Sequence, residues 1–121
     1  MPFTQKDIVK IKGERLPEGI GPHPFLIINS ESCISSDGTR RYLGVMLTHS
    51  PHKNKYTFEV KRDMIDGAHD GSFQQIRTNI IVAFRESDIS PDASHYIGKM
   101  KPAFFKLVMH HIKDYTLQID S

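Results

Sequence analysis

The chain has 121 residues, 38% of them hydrophobic and 25% charged, with sixteen Lys and Arg against fourteen Asp and Glu for a net charge of +2. This length suits one domain, 1–121, with a modest core and is too short for two; the composition is that of an ordinary globular protein. No apolar run approaches the roughly 20 residues of a membrane span, and a two-charge excess does not by itself announce nucleic-acid binding, because phosphate affinity comes from clustered cations.

The first strand is expected over residues 7–12 (DIVKIK), ended by Gly13. Charged residues inside this stretch leave no room for the roughly 7–15-residue apolar core of a signal peptide. Cys33 is the only cysteine. It has no internal disulfide partner, so a cytoplasmic location is expected.

Residues 14–23 hold two glycines and two prolines and read as a loop. Residues 24–29 (PFLIIN) form a short continuous apolar run led by proline, the pattern of a buried strand. Asp37-Gly38 is a hairpin signal within the polar stretch 30–41, and residues 42–48 (YLGVMLT) follow as another strand.

Residues 56–61 alternate strictly, with Tyr56, Phe58 and Val60 against Thr57, Glu59 and Lys61, so one face is buried and the other wet. Asp66-Gly67 and Asp70-Gly71 are turn signals, residues 73–84 read as a strand broken near Thr78-Asn79, and 86–94 as a polar connection.

A C-terminal helix is expected from Pro102, a residue favoured in a first helical turn. Phe104, Phe105, Val108, Met109, Ile112 and Tyr115 make its apolar stripe, with Lys106, His110 and Lys113 opposite. His111 falls on the apolar side, as a satisfied core or interface histidine. The fold class is therefore mainly β with α: five to seven short strands closed by one C-terminal helix, a small, partly open SH3-like barrel. None of the seven histidines has a spacing that suits a metal, and no cofactor is expected.

The order of these pieces resembles the PemK/MazF family of toxin endoribonucleases. Lys6-Asp7-Ile8-Val9 stands where family members begin with G-[DE]-[IV]. Residues 17–24 (PEGIGPHP) keep the glutamate, second glycine and proline of the family loop G-x-E-Q-x-G-x-R-P, and the apolar strand after that proline is matched by residues 25–29. The family strand ending in Thr-[ST], its loop and a further strand resemble residues 44–50 and 56–60. The [CD]-D-Q-x-[RK]-[ST] segment resembles residues 73–78 (FQQIRT), and I-G-x-L before the last helix resembles Ile97-Gly98-Lys99-Met100. Two positions depart from the pattern: His23 stands for the family arginine and Gln74 for the family acidic residue.

What the resemblance implies is a homodimeric toxin that cuts single-stranded RNA without a metal and is held in check by an antitoxin protein. Such cleavage needs a base for the 2′-hydroxyl proton, an acid for the leaving 5′-oxygen and donors for the phosphorane. His23 and Thr48 are the candidate catalytic residues, since histidine changes charge near neutrality and a threonine hydroxyl donates to a phosphate oxygen. Glu18, His49, Ser50, Lys53, Gln75, Arg77 and Thr78 are the candidate substrate-binding residues. The rival reading is a catalytically inactive module of the same fold that binds a protein partner or nucleic acid. A gyrase-poison toxin is a third, which the tail Gln118-Ile119-Asp120-Ser121 does not match.

Overall fold

The computed structural model describes residues 3–12, 23–30, 41–67, 75–89 and 96–117. Among these residues seven strands are formed: β1 (Asp7–Ile11), β2 (His23–Ile27), β3 (Arg41–Thr48), β4 (Thr57–Glu59), β5 (Ile65–Gly67), β6 (Gln75–Arg85) and β7 (Tyr96–Met100). A helix, α1 (Pro102–His111), follows them and widens into a π-helical turn at Ile112–Leu117. All pairings are antiparallel, in the order β4-β6-β3-β2-β1-β7-β5, and the sheet curls into half a barrel.

Alternation along the central strands gives the sheet two apolar faces. Ile8, Leu26, Val45, Leu47, Ile76 and Met100 meet Phe105, Val108 and Ile112 of the helical segment on one side. Val9, Ile11, Phe25, Ile27, Tyr42, Met46 and Phe84 pack together on the other, the far face, where no described helical residue takes part. Tyr42 stacks on Phe84 there, with ring centroids 5.4 Å apart. Burying a side chain such as Phe105 or Val108 stabilises by about 1.5–3 kcal/mol, so α1 is held by its stripe.

Several expectations need correction. Asp66-Gly67, read as a turn, is the body of β5, which pairs with β7. Gly67 has a φ of +122°, and a side chain on its partner Gly98 would sit 2.5 Å from the Asp66 carbonyl, so both glycines are required by this close approach. The alternating run at 56–61 forms only three residues of strand, because the chain turns at Arg62–Met64.

Tyr115 is 45% exposed and leaves the apolar stripe. The wider winding after Ile112 carries later residues out of phase with the 3.6-residue period. His111 is packed against the rings of Phe58 and Tyr115, at 5.8 and 4.5 Å, yet its buried Nε2 has no partner among the described residues. Within the chain it is therefore not a satisfied core histidine.

The break expected near Thr78-Asn79 exists in another form. β6 is continuous, but its register against β3 jumps: Met46 faces Arg77, while Val45, the next residue back, faces Ile81. Thr78, Asn79 and Ile80 bulge between the two registers, so the strand bends there without ending.

Asp37-Gly38, Asp70-Gly71, Cys33, Gln74 and Glu18 lie outside the described residues. No described helix is long and apolar enough to cross a membrane.

Candidate functional site

The register places four of the sequence-named residues at one end of the sheet. Thr48, the last residue of β3, faces Gln75, and Gln75 faces Glu59 on its other side. β2 and β3 pair as far as Phe25 with Met46, and strand alternation carries His23, two residues before Phe25, to the same end and face as Thr48, two residues beyond Met46. Thr48–Gln75–Glu59 is thus one row across three strands, with His23 on its β2 side. A second row, Phe25–Met46–Arg77–Thr57, runs beside it.

Both rows lie on the far face, since Phe25 and Met46 belong to its cluster while Leu47 and Ile76 point to the helix side. Facing neighbours in such a row have Cβ atoms about 5 Å apart. The row from Thr48 to Glu59 spans about 10 Å at two strand spacings.

The polar groups of the row are unusual in what they leave open. Gln75 is 2% exposed, and its amide makes no hydrogen bond among the described residues. Thr48, 7% exposed, accepts the Ser50 N–H at 3.2 Å, which leaves its hydroxyl proton to donate elsewhere. Arg77 is half-buried and forms no ion pair among the described residues.

Between β3 and β4 the chain makes a loop pinned by its own side chains. Ser50 Oγ accepts the His52 N–H, Asn54 Oδ1 accepts the Tyr56 N–H, and the Thr57 hydroxyl both accepts from Asn54 N–H and donates to its carbonyl. This carries Lys53 to Glu59, Nζ to Oε2 at 3.0 Å. The bonded Lys53 ammonium, with Lys61 nearby, holds the Glu59 carboxyl below its ordinary value. His49 and Lys53 are exposed and Ser50 is half-buried beside the row, and Lys55 stands over the Tyr56 ring at 5.0 Å.

Thr78 is different. It is fully buried, donating its hydroxyl to the Tyr56 carbonyl and receiving the Thr116 hydroxyl. Its observed work is to tie β6 to the loop and to the end of the helical segment. Glu59, conversely, is on sequence only a residue of the wet face, marked by its alternation with Phe58; its place beside Gln75 depends on a register invisible in the sequence.

The fold is shared with solved endoribonucleases. An endoribonuclease in complex with its cognate antitoxin, from a mycobacterial species, superposes with a TM-score of 0.70 at 14% identity, covering 99% of each chain. A second mycobacterial endoribonuclease gives 0.68 at 12% identity, over 98% of this chain and 94% of that one. Comparison with protein-family models finds no match, and neither does comparison with curated proteins. The fold is thus the one that the PemK/MazF resemblance implied.

Proposed function

We propose that this protein is a toxin endoribonuclease of a toxin–antitoxin pair, acting on single-stranded RNA at the Thr48–Gln75–Glu59 row with His23 on its β2 side. The observation that carries the reading is the convergence, on one end of one face, of two proton-carrying side chains with unpartnered donors between them. The likeness in fold to an endoribonuclease bound to its antitoxin supports it.

In the proposed reaction Glu59, ionised at neutral pH, takes the 2′-hydroxyl proton as that oxygen attacks the adjacent phosphorus. Thr48 and Arg77 donate to the phosphorane oxygens, and Gln75 orients the phosphate or the neighbouring base. The P–O5′ bond breaks, and His23 supplies the proton to the leaving oxygen. The products are a 2′,3′-cyclic phosphate and a 5′-hydroxyl end, with no metal in the cycle. Lys53, His49 and Ser50 line the approach.

The protein is further proposed to act in the cytoplasm as a homodimer; Leu107, Tyr115 and Leu117 on the helical segment are about half exposed and suit a contact between copies. Incubation with mixed-sequence RNA in EDTA, with mapping of product ends, tests the chemistry. Cyclic phosphate ends support it. Intact RNA that is nonetheless bound would make the protein a binding module of this fold.

A further inference from the structure

At the opposite end of the β3–β6 ladder two arginines face each other. Arg41 pairs directly with Arg85, which sets their Cβ atoms about 5 Å apart, and like charges directly opposite in a sheet are destabilising. Neither guanidinium forms an ion pair among the described residues. They line an open cleft of about 180 Å³ together with Ala83 and Phe84. We propose that Arg41 and Arg85 form a binding site for a phosphate group, separate from the row at Thr48.

The separation follows from geometry. Arg41 is seven residues from Thr48 along β3, about 23 Å at strand rise. It also lies on the other face, because Tyr42 and Met46 belong to the far-face cluster and Arg41 alternates with them. No single phosphate reaches both places.

The surroundings favour an oxyanion. Lys12 is brought to the same corner by the bridge between Ile11 and Ile89, and its Nζ donates to the Ser87 carbonyl at 3.0 Å, two residues beyond Arg85. Of the nearby acids, Asp88 is 8% exposed and accepts the Arg85 N–H at 2.8 Å, so its carboxylate is engaged in the turn. Glu86 is exposed and forms no ion pair among the described residues.

Two planar guanidinium forks at this spacing match the oxygens of one phosphate, and an anion between them converts repulsion into two charge-assisted contacts. Beside them Leu43, 37% exposed, pairs with the exposed Ala83. That apolar strip gives the non-phosphate part of a ligand a surface to lie on, while the small cleft excludes a large group from the pocket itself.

Titration of the full chain with inorganic phosphate at low ionic strength, followed by NMR of the arginine Nε–H groups, tests the site. The Arg41 and Arg85 signals are expected to move together along one saturable curve, with a dissociation constant on the order of 1 mM. In Arg41→Gln the Arg85 response should weaken at least about tenfold, and the phosphate-free variant should melt no lower than the parent because a repulsion has been removed. Linear, unsaturable shifts, or an Arg85 response unchanged in Arg41→Gln, would overturn the proposal.

Two probes then separate the sources of phosphate. A nucleoside monophosphate that saturates the same signals, with a single-stranded oligonucleotide whose salt slope is unaltered in Arg41→Gln, identifies a free phosphate compound. A salt slope that falls by about 1 in that variant identifies a nucleic-acid backbone.

Discussion

The two ends of the β3–β6 ladder solve opposite electrostatic problems. At one end Thr48 faces Gln75, neutral groups almost withdrawn from water with hydrogen-bonding capacity left over. At the other Arg41 faces Arg85, fully charged groups held in solvent and crowded against each other. The first arrangement costs desolvation and acts at short range, which suits orienting a reacting group. The second is screened by salt and suits capture of an anion. One pair of strands thus presents a chemical end and a charged end, and substitutions at the two should differ in kind.

The largest effect is expected at His23. His23→Ala should slow RNA cleavage by about 10²–10⁴-fold without loss of RNA affinity. Unchanged cleavage by His23→Ala would leave the Thr48 end without its proton donor and break the contrast.

Next comes the support beneath that end. Leu47 and Ile76 pass through the sheet to the helix-side cluster with Val108, which is fully buried. Val108→Asp places an unpaired charge there and should cost about 3 kcal/mol or more, lowering the melting temperature by roughly 10 °C. A variant that melts within a degree or two of the parent would show that α1 does not brace the site.

Thr48→Ala should reduce cleavage about 10²–10³-fold, as loss of a single transition-state donor does, with little change in melting. Gln75→Leu sharpens the point further: removing an unpartnered, nearly buried amide should leave thermal stability the same or slightly higher while RNA binding weakens. A marked fall in melting temperature would mean that the amide is a structural bond and not a waiting one.

The smallest effect concerns the Lys53–Glu59 pair. Glu59 has a folded pKa below its unfolded one, so the pair's stabilisation is fully present above the unfolded value and is lost as pH falls through the folded one. Both partners are well exposed, so the change is slight. It is read as a shallower acid limb of thermal stability in Lys53→Ala.

Much of this was legible in the sequence, and what was hidden has physical causes. Apolar runs marked β2 and β3 because their residues are buried on both faces, and the Phe105, Val108, Ile112 stripe marked α1. β5 escaped because its three residues carry the Asp-Gly signature of a turn, and its neighbour β7 lies far away in sequence. His23, Thr48, Gln75 and Arg77 were named one by one, but their alignment in adjacent rows depends on long-range register that periodicity does not encode. For the same reason Thr78, a candidate substrate-binding residue on sequence, is seen as an internal tie, and Glu59 enters the row.

The three-residue bulge in β6 has a further consequence. Ile76 points to the helix side and Ile81 does too, although five residues separate them and a regular strand would turn them to opposite faces. β6 therefore carries two reading frames: even residues face the helix before the bulge and away from it afterwards, as Ile80, Val82 and Phe84 do. An odd-numbered position can be lengthened or charged under one rule near Gln75 and under the reverse rule near Arg85. The strand's two halves are free to diverge independently, each answering to the chemistry at its own end.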